Sequence, residues 1–134
     1  MNRKKSRGSL TIEALLMCPV LVLILLAIVY AGRFTDASFR VHRAADVSAR
    51  VASQANSVSM ISRGVATARA DLTTGHSPCS KVDVAVTKGM IGRIVTVTST
   101  VTCLLNPSGL GLLSVPRRVI RARSTEVVDF FSAR

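Results

Sequence analysis

Read by its hydrophobic and polar positions, the chain changes character three times. A short basic tip, Arg3-Lys4-Lys5 with Arg7, leads into Ala14–Ala31, which reads ALLMCPVLVLILLAIVYA and carries no charge. At about 1.5 Å per residue such a run covers about 27 Å, close to one hydrocarbon core, and predicts a membrane-spanning helix. Beyond Gly32 the apolar residues thin to steps of three and four: Phe34, Ala37, Val41, Ala44, Val51, Ala55, Val58 and Val65, with Ser48 and Ser62 in the interrupted positions. That spacing predicts an amphipathic helix with small residues on its apolar stripe. With no proline between Pro19 and Pro78, the reading is one helix from Leu10 to about Leu72, with Gly32 and Gly64 as its weak points.

After the loop composition of Thr73–Pro78 the period falls to two. Val82, Val84 and Val86 alternate with polar neighbours, and Ile94–Leu105 is β-branched almost throughout, as strands are. Lys88–Gly92 reads as the turn between them. A third strand, roughly Arg117–Phe131, alternates Ile120, Ala122 and Ser124 against Arg121, Arg123 and Thr125. Between the second and third strands lies a loop whose Leu110, Leu112 and Leu113 either tuck under the sheet or form a contact patch. The predicted fold is α+β: a long N-terminal membrane helix, continuing as an amphipathic stem, packed with a small antiparallel sheet of about three strands. The expected segments are a leader at 1–8, the span at 9–32, the stem at 33–74 and an extracytoplasmic β domain at 75–134.

The run is long for a signal-peptide core, and no Ala-x-Ala-like site closes it, so it reads as a retained anchor. Met17 and Pro19 around Cys18 fit lipid attachment poorly. The basic tip predicts a cytoplasmic N-terminus, although Arg33, Arg40 and Arg43 follow the span.

Charge and cysteines change the picture only modestly. The net charge of +11 is spread along the chain with no aromatic platform and no nucleic-acid-binding motif, so it reads as a solvated basic face rather than a specific nucleic-acid site. Of the three cysteines, Cys18 falls in the span, and Cys79 with Cys103 form an even pair outside it. In an oxidising compartment they are candidates for one disulfide. Their register is open. Pairing Cys79 with Cys103 sets Val84 opposite Thr98, whereas matching the valine faces sets Val84 opposite Val97. Either a bulge lies between, or Cys79 sits off the end of the ladder.

His42 and His76 lack carboxylates at motif spacing, and no nucleophile elbow or phosphate loop is present. No enzyme activity, metal site or cofactor is expected.

What remains is Glu13, a carboxylate at the mouth of an apolar helix, five residues after Gly8. A helix N-terminus favours an anion, which accounts for Glu13 but not for Gly8. Cleavage of the Gly8–Ser9 bond would leave an α-amine on Ser9, one turn from Glu13, where the two neutralise each other within a chain or between neighbours.

The residues Arg7-Gly8-Ser9-Leu10-Thr11-Ile12-Glu13-Ala14-Leu15-Leu16, then Pro19–Leu23 and Tyr30-Ala31-Gly32-Arg33, resemble type IV pilin-like N-termini. They resemble most closely the TadE-like family of tight-adherence (Flp) pilus pseudopilins. Over the first 35 or so residues the similarity is one of sequence; beyond, it is one of layout. The resemblance implies a minor pilin-like subunit or assembly factor of a surface pilus, cut by a prepilin peptidase at Gly8–Ser9. It implies that Glu13 aligns subunits, and that the partners are other pilin or pseudopilin subunits and the assembly machinery. Ala14 stands where major subunits of this class often carry tyrosine, and the chain is longer than theirs; both favour a minor subunit. The competing reading is a single-span membrane-anchored module whose basic outer domain binds an acidic surface.

Overall fold

The computed structural model describes residues 7–74, 79–105 and 118–128. His76, the apolar loop with Leu110, Leu112 and Leu113, and the ends proposed for the third strand lie outside them. The described elements run α1 (Arg7–Gln54), α2 (Met60–Thr73), β1 (Cys79–Ile91), β2 (Ile94–Leu105) and β3 (Val119–Val127). The architecture is α+β: a long apolar N-terminal helix, a second short helix and a three-stranded antiparallel sheet. Two compact units divide the chain, Met1–Asp36 and Ala37–Arg134.

In the first unit α1 is apolar on every side. From Ile12 to Val29 each residue is exposed, and no partner inside the chain covers the leucines, isoleucines and valines. Pro19 lies within this stretch without ending the helix. It cannot donate to the carbonyl one turn back, a loss that transmembrane helices tolerate through local adjustments and neighbouring groups.

In the second unit the remainder of α1 and all of α2 pack on one face of the sheet. Ala37, Val41, Ala44, Ala45, Ala52 and Ala55 of α1 and its C-terminal connection, Met60, Ala68 and Leu72 of α2, and Val84, Val86, Val97, Val101, Cys103, Ile120 and Ala122 of the sheet form one buried cluster. Alanine dominates the helical side because small side chains allow the backbones to approach closely.

The single helix expected through Leu72 is corrected here: it breaks at residues 55–59, not at a glycine. Asn56 makes the break. Its carbonyl accepts from the Ser59 and Met60 amides at 3.1 and 3.0 Å, and its Oδ1 accepts from the Ser59 amide at 2.9 Å and from the Ser59 hydroxyl. This local side-chain bonding offers the backbone an alternative to the helical ladder. The apolar stripe shifts with it. Val58, expected on the stripe, is 95% exposed, and Ser62 is also exposed.

Strand order is β1-β2-β3. The expected Lys88–Gly92 turn is also corrected: β1 continues to Ile91, which pairs with Ile94, leaving only Gly92 and Arg93 in the loop. Gly92 takes φ +64°, and no other described residue has a positive φ, so the turn is of the kind that places glycine at its first central position.

The register matches neither expected pairing. Val84 faces Val101 and Val82 faces Cys103, while Cys79 faces Leu105, with an irregularity between Cys79 and Lys81. The extra residue is Ser80, whose hydroxyl donates to the Leu104 carbonyl at 2.9 Å. One inserted residue reverses the alternation and turns Cys79 to the inner face. There Cys79 and Cys103 form a disulfide, with Cα atoms 5.4 Å apart.

Candidate functional site: the N-terminal helix and its seat

Gly8 and Ser9 lie in the first turn of α1, and Glu13 is exposed one turn beyond Ser9. The first amides of a helix lack intrahelical acceptors, so this turn is the part of α1 held by the fewest backbone bonds. From Glu13 to Arg33 no other charge occurs, so α1 presents about 28 Å of uncharged helix between them. At the far end Thr35 Oγ1 donates to the Ala31 carbonyl at 2.9 Å, tying its hydroxyl back to the helix. Cys18 is a free, exposed thiol in the middle of the run. This one apolar helix fits a single-pass membrane anchor by length and composition.

The C-terminal part of α1 sits in a seat of different chemistry. Ser48 is fully buried, and its hydroxyl donates to the Gly64 carbonyl of α2 at 2.9 Å. Ser99 of β2, equally buried, donates to the Ser48 hydroxyl at 2.9 Å. One polar thread therefore joins α1, α2 and β2. Gly64 makes the approach possible: a Cβ there would lie 3.1 Å from Ala52 Cβ, 3.2 Å from Val86 Cγ2 and 3.4 Å from the Ser48 carbonyl. By sequence pattern Gly64 is a weak point of the helix and Ser48 an interruption of its stripe. Both are packing positions whose partners lie in other elements. The available signal was that Ser48 occupied a stripe position without ending the pattern.

The structure brings Gly8, Ser9 and Glu13 onto one helical turn and a little more, and joins Cys79 to Cys103. It does not bring His42, exposed on α1, near a catalytic partner set. Among the described residues no three His, Cys, Asp or Glu side chains gather as metal ligands.

Residues 8–50 match the model of the TadE-like protein family. The TadE-like segment starts at Gly8, holds Glu13 and the whole apolar run, and ends on the alanine-rich part of α1. It covers about a third of the chain and supports involvement with tight-adherence pilus systems. No curated protein and no solved structure gives a significant match.

Proposed function

We propose that the protein is a minor pilin-like subunit, or an assembly factor, of a tight-adherence surface pilus. The single observation that carries the reading is that the TadE-like segment begins at Gly8 and contains Glu13 at the mouth of an uncharged span. In this reading the basic tip stays cytoplasmic, and the second unit lies outside the membrane, where the Cys79–Cys103 disulfide is stable. A prepilin peptidase cuts Gly8–Ser9. The freed Ser9 amine pairs with Glu13 of its own or a neighbouring subunit, which neutralises a charge that is otherwise costly at the membrane edge. The buried thread through Ser48 holds the outer unit on the same helix, so a force on α1 reaches the sheet through packed atoms.

The test is Glu13→Ala in the full chain. Membrane insertion stays intact, because an uncharged residue replaces a charged one, and the number of pili per cell falls several-fold. Pilus number unchanged from wild type contradicts the assignment. A second reading has one observation in its favour: residues 84–125 contain Lys88, Arg93, Arg117, Arg118, Arg121 and Arg123 and no acid at all. A membrane-anchored module that grips an acidic surface requires that retention on such a surface be lost as salt is raised.

A further inference from the structure

The disulfide joins two cysteines that differ in access. Cys103 is 0% exposed, and Val82 and Ile120 flank it on the neighbouring strands. Cys79 is half-buried at the first position of β1, packed against the same core. A thiolate arriving from solvent therefore reaches the Cys79 sulfur and not the Cys103 sulfur. Access is one of the factors that decide which sulfur of a disulfide is attacked.

The backbone adds a second asymmetry. From Lys81 to Ile91 the ladder to β2 is unbroken. Lys81, Asp83, Ala85 and Thr87 stand exposed on its outer face, and Val84 and Val86 are buried on its inner face. Carried back without a bulge, that alternation puts Ser80 on the inner face opposite Leu105 and Cys79 on the outer face. The structure has Cys79 opposite Leu105 instead, with Ser80 as the extra residue and its hydroxyl donating to the Leu104 carbonyl. The bulge is what turns Cys79 inward and sets its Cα 5.4 Å from that of Cys103. A bulge leaves one residue of the ladder unpaired, and here a covalent bond holds it in place.

We propose that the Cys79–Cys103 bond is a redox latch that exchanges at Cys79 and, once open, turns Cys79 to the outer face of the sheet. The reagent is a small thiol, since a half-buried sulfur packed against the core admits a slim thiolate more readily than a protein's. That thiolate attacks Cys79 Sγ. The bond to Cys103 breaks, its electron pair leaves on Cys103 Sγ, and that sulfur takes a proton. Cys79 is left in a mixed disulfide. A second thiolate attacks the small thiol's own sulfur and releases Cys79 as the thiolate. Two small thiols are thereby oxidised to one disulfide, and the two cysteines are reduced. The ladder then pairs Ser80 with Leu105, and Cys79 joins the face that carries Lys81, a cation that favours its thiolate. The latch belongs to the second unit alone and does not depend on the pilus role.

Differential alkylation of the full-length chain in detergent tests the latch. Cys18→Ala removes the free thiol, so that only this pair reacts. The folded protein is treated with reduced glutathione and pulsed with N-ethylmaleimide, then unfolded and treated with isotopically heavy maleimide. The light label appears on Cys79 and the heavy label on Cys103. Cys79 labels as fast as Thr87→Cys, a reference thiol on the exposed outer face of the same strand. Deleting Ser80 leaves Cys79 inward and opposite Leu105 in an unbroken ladder, so the disulfide still forms. After reduction of that variant the light labelling of Cys79 slows by about tenfold, because it now waits on opening of the strand end. Light label shared equally by both cysteines, or found first on Cys103, overturns the exchange site. So does a pair that glutathione reduces only as the unit unfolds. Labelling of reduced Cys79 far slower than the Thr87→Cys reference overturns the outward turn without recourse to the deletion variant. Glu13→Ala leaves every labelling result unchanged, so failure here and failure of the pilin reading are separable.

Discussion

Two stretches of α1 solve opposite problems with one backbone. From Ile12 to Val29 the helix carries large aliphatic side chains all round, and all of them are exposed. From Ala37 to Ala52 it carries alanines on one side, and they are buried against α2 and the sheet. Large apolar groups suit a helix whose solvent is lipid, since the bilayer supplies the contacts. Small ones suit a helix that must let another backbone come close, where Gly64 already leaves no spare volume. The TadE-like match runs across both stretches.

The widest separation between the two stretches comes from one substitution made in each. Val41→Lys places a charge at a fully buried position and is expected to cost the second unit about 4 kcal/mol, seen as loss of its melting transition in detergent. Val22→Lys leaves that transition in place and costs about 3 kcal/mol of membrane insertion instead, read by a glycosylation or translocon assay. Equal effects of both variants on the melt would erase the distinction between the two stretches.

A smaller effect probes the polar thread. Ser48→Ala leaves the buried Ser99 hydroxyl without its acceptor and is expected to destabilise the second unit by about 1–3 kcal/mol. Removing both hydroxyls costs less than the two single changes added together, and a double-mutant cycle measures the coupling. Additive losses would mean that the two hydroxyls do not act as a pair.

The smallest expected change is Gly64→Ala. Overpacking against Ala52 and Val86 costs about 1–3 kcal/mol, and the better helix propensity of alanine returns about 1 kcal/mol of it. The net is about 1 kcal/mol of destabilisation, because Ala52 Cβ is fixed to a packed helix and cannot yield. A stabilised variant would show that the seam between the helices has room.

The span and the sheet were legible in the sequence because each announces itself by composition over many residues: an uncharged apolar run, and β-branched alternation. The α+β fold, the outward Arg121 and Arg123 and the inward Ile120 and Ala122 follow from those patterns. The helix break was harder to see, since Ala55 continues the apolar spacing and the decisive event is one Asn56 side chain bonding to Ser59. The ladder register depended on a single inserted residue, Ser80, which flips one cysteine and leaves composition untouched. Ser48 and Gly64 were illegible for a different reason. Their partners, Ser99 and Val86, are distant in sequence and meet them only when the sheet folds onto the helices. At the proposed processing site the reverse holds: Gly8, Ser9 and Glu13 are meaningful through spacing along one helix, which sequence displays directly.

The central claim is that the Gly8–Ser9 bond is cut and that Glu13 meets the amine so formed. Intact-mass and N-terminal peptide analysis of the protein purified from wild-type membranes and pili tests it most directly. The account predicts a mature chain that starts at Ser9, and loss of that species in Gly8→Asp. A chain that begins at Met1 or Asn2 in assembled pili would contradict it.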